Sequence, residues 1–124
     1  MKGRLVVFTY TTKAVLPLED TEIYVTNVEK TELIAKMTTD ADGKTNVIEL
    51  EAPDVNNSLS PDTNLPIFRS ISIYARKNGY FNLLINGVQV FAGNTSIQNI
   101  MMIPLPENYV GDNTEVVEIP PQNL

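Results

Sequence analysis

The chain has 124 residues, 43% of them hydrophobic, which is enough for one domain around one core. It contains no cysteine and no histidine, so disulfides, thiolate metal sites, the usual zinc sites, a cysteine nucleophile and a Ser–His–Asp triad are all excluded. The formal charge of −6 is uneven, because residues 107–124 hold Glu107, Asp112, Glu115 and Glu118 with no Lys or Arg; acid without a basic patch argues against nucleic acid and against anionic membranes as partners.

Period-two alternation runs through the chain, and no window holds a sustained 3.6 period. The first predicted strand is "RLVVFTY", entered directly from a basic start. No 7–15-residue apolar block and no cleavage site precede it, so no signal peptide is read. The chain is therefore expected in the cytoplasm at synthesis, reaching a spore or cell surface by a non-classical route. No apolar run approaches the roughly 18 residues of a membrane helix.

"TEIYVTNV" places Ile23 and Val25 on one face, and "EKTE" is a polar turn. "LIAKMTT" is expected to point Leu33, Ala35 and Met37 inward. After the "DADG" turn, read as the turn of a β-hairpin, "KTNVIELE" offers Ile48 and Leu50 to a core. Residues 52–66, "APDVNNSLSPDTNLP", form a long loop, which marks a sheet-to-sheet crossover or a functional loop. "IFRSISIYARK" puts Ile71, Ile73 and Ala75 on one face, and Asn78-Gly79 is a hairpin signal. "YFNLLIN", "VQVFAG" and "TSIQNIMMIPL" continue the series. Seven or eight short strands predict an all-β, two-sheet sandwich over residues 1–106. Residues 107–124 read as an acidic, proline-bracketed extended tail.

Chemistry is sparse. "TTDADGKT" invites comparison with a calcium loop, and aligning Gly43 to the sixth EF-hand position puts Asp42 at the fifth, Asp40 at the third and Glu49 at the twelfth. Thr38 then stands where the first carboxylate belongs, and strands replace both flanking helices. Asp40, Asp42 and Gly43 are therefore read as a tight turn, with side-chain-to-backbone bonds and a positive φ. Glu49 and Glu51 share one strand face, expected to be the solvated one, and carry no acid–base pair. No cofactor or metal is implied. Tyr24, Tyr74, Tyr80, Phe81 and Phe91 offer aromatic faces for a pyranose ring, although at period two such residues also serve packing.

"LPLEDTEIYV", "TTDADGKT" and "YARKNGYFNLLINGVQVF" together resemble the carboxypeptidase regulatory-like, or transthyretin-like, β-sandwich family. "INGVQVFAGNTSIQNIMMIPLPE" and the "PPQNL" ending are similar to proteins of spore-forming Gram-positive bacteria labelled spore cortex-lytic. The resemblance spans about residues 3–107 and the last few. It implies an immunoglobulin-like or transthyretin-like accessory domain, with peptidoglycan chemistry in a separate catalytic domain. Among related-looking surface domains, Lys and Asn can join through an isopeptide bond, for which Lys2 or Lys13 with Asn99 are the candidates.

The expected function is a non-catalytic structural or interaction module of the bacterial cell envelope or spore, self-associating as a homo-oligomer or filament. "TEVVEI" has the length and alternation to add a strand to a sheet edge, its own or a neighbour's. Glu115, Val116, Val117 and Ile119 would make that contact. The alternative is a glycan- or peptidoglycan-binding accessory module using Asn78, Tyr80 and the 52–66 loop.

Overall fold

The computed structural model describes residues 2–11, 16–52, 68–106 and 114–118, with Glu115, Val117 and Glu118 described by their backbone only. These residues form eight strands: β1 (Lys2–Thr11), β2 (Glu22–Asn27), β3 (Leu33–Thr38), β4 (Ile48–Glu51), β5 (Phe68–Arg76), β6 (Asn82–Phe91), β7 (Thr95–Met102) and β8 (Thr114–Glu118). No helix occurs among the described residues.

The strands divide into a three-stranded sheet, β4-β1-β7, and a five-stranded sheet, β3-β2-β5-β6-β8. Alternation builds the core between them. The smaller sheet sends in Leu5, Val7, Leu50, Ile100 and Met102, and the larger one Ile23, Val25, Ile71, Ile73, Ala75, Leu83 and Ile85. The chain is an all-β, two-sheet sandwich.

Two irregularities change which residues face inward. In β6, Ile71 of β5 pairs with Val88 while Ser72 pairs with Asn86, so Gly87 is an extra residue at φ 82°. A bulge of this kind inverts the alternation, and the buried positions pass from Leu83 and Ile85 to Val88 and Val90. In β3, Ile34 is an extra residue, because Val25 of β2 pairs with Ala35 and Thr26 with Leu33. Leu33, expected inside, is 58% exposed, and Ile34 packs against the core instead.

The Asp40–Gly43 connection is not a hairpin. It leads from β3 in one sheet to β4 in the other, because β1 captures the chain as it leaves the turn. The Thr9 amide donates to the Gly43 carbonyl at 2.7 Å, the Thr45 amide donates to the Val7 carbonyl at 3.0 Å, and Phe8 bridges Lys44. By contrast, Asn78-Gly79 does join an antiparallel pair, β5 and β6.

Candidate functional site

The turn residues have defined tasks. Asp40 Oδ1 accepts from the amides of Asp42 at 2.9 Å and Lys44 at 3.1 Å. The Gly43 amide donates to the Asp40 carbonyl at 2.9 Å, and Gly43 lies at φ 73°. One Asp40 oxygen is thus engaged with backbone amides, whereas the exposed Asp42 carboxylate has no partner among the described residues. Among the described residues, no three His, Cys, Asp or Glu side chains gather there as a metal site.

Beneath the turn lies a group of buried threonines that sequence reasoning missed. The hydroxyls of Thr9 and Thr39 both donate to the Leu18 carbonyl at 2.8 Å, and Thr39 Oγ1 accepts the Thr21 amide at 2.9 Å. Thr45 Oγ1 accepts the Val7 amide at 3.1 Å. All four threonines are buried. For Thr21, Thr39 and Thr45 the signal was chain position: they stand in the connections between strands, where a hydroxyl can satisfy a backbone group that no ladder reaches, whereas Thr9 lies within β1.

Asn78 and Tyr80 are separated by burial. Asn78 is exposed beside Asp20, Glu22, Arg76 and Lys77, while Tyr80 packs against the core and bridges Pro104. The aromatic residues do not converge on one platform. Tyr24 and Tyr74 pair across β2 and β5 with ring centroids 6.0 Å apart, and the Lys36 ammonium sits 5.4 Å from the Tyr24 centroid. Phe91 stacks at a tilt on Phe68 at 5.6 Å. The 52–66 loop, apart from Ala52, and Ile119 lie outside the described residues.

The tail strand β8 runs parallel to β6 of the same chain, from Asn82 opposite Thr114 to Asn86 opposite Glu118. It extends a row of register partners across the larger sheet, Lys36, Tyr24, Tyr74, Leu84 and Val116. Val116 is 57% exposed.

An isopeptide bond between Lys2 and Asn99 is ruled out by register. Lys2 stands opposite Glu51, and Asn99 stands opposite Phe8, six residues further along β1. At roughly 3.3 Å per residue that is about 20 Å. Lys13 lies outside the described residues.

The outer face of the smaller sheet is the most distinctive surface. Its first end is charged: Arg4 opposes Glu49, and Lys2 Nζ lies 3.7 Å from Glu51. Glu49 and Glu51 are exposed there. The second end is apolar. Val6, Phe8 and Tyr10 of β1 stand opposite Ile97, Asn99 and Met101 of β7, and Ile97 and Met101 are 61% and 45% exposed. A cleft of about 380 Å³ opens on this end, lined by Phe8, Thr9, Tyr10, Pro17, Asp42 and Asn99. A second cleft, about 400 Å³, lies between β6 and β7 beside Gln89 and Ser96.

No family model and no curated protein matches the chain. Solved structures do match its fold. The TIE protein of Bacillus anthracis is 15% identical with a TM-score of 0.57, over 84% of this chain and 17% of that one. GBS52, the minor pilin of Streptococcus agalactiae, is 13% identical with a TM-score of 0.56, over 90% and 48%. A catechol 1,2-dioxygenase from an Acinetobacter species is 11% identical with a TM-score of 0.55, over 95% and 58%. At such identities the likeness is one of fold. The chain spans less than two thirds of each of these structures.

Proposed function

We propose that this domain is a non-catalytic structural module of the bacterial cell envelope or spore that associates with further copies of itself. The observation that carries this reading is the apolar end of the smaller sheet's outer face. Ile97 and Met101 are left exposed beside Val6, Phe8 and Tyr10, and Val47 just before β4 is also exposed. Several large apolar side chains exposed on one sheet face mark a surface that another protein covers. The fold likeness to a minor pilin and to the TIE protein supports an envelope setting. Absence of histidine and cysteine supports a role without catalysis. The tail enters this reading as an edge cover, since β8 occupies part of the β6 edge within its own chain.

Sedimentation velocity over a hundredfold concentration range tests the proposal. The wild-type chain should form concentration-dependent species larger than a monomer, and Ile97→Lys should return it to a monomer without lowering its melting temperature. A wild-type chain that stays monomeric at the highest concentration removes self-association.

A further inference from the structure

We propose that the cleft on the outer face of the smaller sheet is a binding site for a neutral saccharide, seated on Phe8 and Tyr10 and held by Asp42 and Asn99. This goes beyond the reading of the domain as a self-associating module; it shares Phe8 and Tyr10 with that surface but rests on Asp42 and Asn99, which that reading does not use.

The chemistry starts from the sheet register. Phe8 and Tyr10 are two apart on β1, so they share a face, and Asn99 stands directly opposite Phe8 on β7. Pro17 reaches the same cleft through its bridge to Tyr10, and Asp42 through the crossover turn that β1 captures. Two aromatic rings and a proline thus meet a carboxylate and a primary amide around one opening. Neither the Asp42 carboxylate nor the Asn99 amide has a hydrogen-bond partner among the described residues. A volume of about 380 Å³ lies in the range of small-ligand pockets, roughly 300–1,000 Å³.

Three observations select the ligand class. First, the backbone here is fully engaged. β1 is the central strand, paired with β7 through Thr11. On its other side the Thr9 amide donates to Gly43, the Thr9 carbonyl accepts from Leu18, and the Thr11 amide donates to Leu16. β1 itself therefore offers an extended peptide no free edge, and recognition on its face falls to side chains; the outer edge of β7 is a separate surface.

Second, Asp42 is the one charged side chain among the described lining residues, which disfavours an anion; its carboxylate is exposed, where water and salt screen its attraction for an organic cation.

Third, the lining combines apolar faces with a few hydrogen-bonding groups. A pyranose ring matches it, with an apolar C–H face for the rings and hydroxyls for the polar groups. The carboxylate accepts from hydroxyls, while the amide both donates and accepts.

The test is an amide-resolved NMR titration of the whole chain with two neutral oligosaccharides, chitotetraose and cellotetraose. At least one should produce saturable shifts confined to residues 8–10, 17, 42 and 99 and their neighbours. Asn99→Leu, at an exposed position, should weaken that binding tenfold or more while leaving the melting temperature unchanged; Tyr10→Ala should weaken it as strongly. The titration is repeated on Ile97→Lys, where saccharide shifts on a monomeric protein separate this site from self-association. Silence with both sugars overturns the proposal, as do shifts centred on Asn78 and Tyr80 or binding indifferent to Asn99→Leu. Equal shifts from a blocked neutral tetrapeptide, acetyl-Thr-Val-Thr-Val-amide, would overturn it in favour of a peptide site.

Discussion

The hydroxyl of Thr39 donates to the carbonyl of Leu18 at 2.8 Å, tying the end of β3 to the segment that leads from β1 into β2. The same oxygen accepts the Thr21 amide, so one buried hydroxyl serves a donor and an acceptor that no sheet ladder reaches. Thr39→Val keeps the shape and strands the Thr21 amide, while the Leu18 carbonyl keeps the Thr9 hydroxyl. It should destabilise the domain by about 1–3 kcal/mol, the usual cost of a buried polar group left unpaired. Thr31→Val, in the exposed β2–β3 turn, should cost less despite the Asn27–Thr31 bonds. Denaturant midpoints compare the two, and equal midpoints would mean that the threonine group is not holding the crossover.

Gly43 and Gly79 both lie at positive φ, 73° and 86°. They differ in what surrounds them. A Cβ on Gly43 would collide with the Thr9 carbonyl, whereas one on Gly79 meets nothing within 4 Å. Gly79→Ala should cost only its backbone strain, on the order of 1 kcal/mol. Gly43→Ala adds a clash with backbone and should cost clearly more, and more than Asp42→Ala, whose side chain has no partner among the described residues. Thermal melts of the three variants should place Gly43→Ala lowest.

Calcium should have no effect on stability. One Asp40 oxygen is taken by backbone amides, and Thr38 stands at the position where a first carboxylate ligand is needed. A chelator should leave the melting temperature unchanged. A rise of several degrees in millimolar calcium would show binding to the folded state and sink the turn reading.

Truncation after Pro106 should lower the melting temperature while leaving a folded sheet protein, because among the described residues β8 pairs with the edge of β6 alone and the core strands remain. Val116→Lys, at a 57% exposed position, should stay within about 0.5 kcal/mol of wild type. If truncation abolishes assembly without touching stability, the tail works between chains rather than within one.

Gln89 is 8% exposed, and its Oε1 is buried without a hydrogen-bond partner among the described residues. Burying an unpaired amide oxygen is unfavourable, and methionine fills nearly the same volume with no such demand. Gln89→Met should therefore be more stable than wild type, by about 1 kcal/mol. A less stable variant would reveal a partner for that oxygen in solution.

Sequence alone determined the class of fold, because alternation is a local property. Ile23 with Val25, and Ile71 with Ile73 and Ala75, declare one buried face without reference to any other strand, and all five are buried. Asn78-Gly79 likewise fixes its own turn. The sheet pairings were decided only by tertiary structure. Whether "DADG" closes a hairpin or crosses between sheets depends on β1, more than thirty residues earlier, which takes the chain through Thr9 and Val7. Leu33 faces solvent because Ile34 is an extra residue in its own strand, and Gly87 inverts the second half of β6 for the same kind of reason. The saccharide cleft was illegible for a deeper cause. Phe8, Pro17, Asp42 and Asn99 are each ordinary in sequence, and only the parallel pairing of β1 with β7 and the capture of the crossover turn by β1 bring them to one opening.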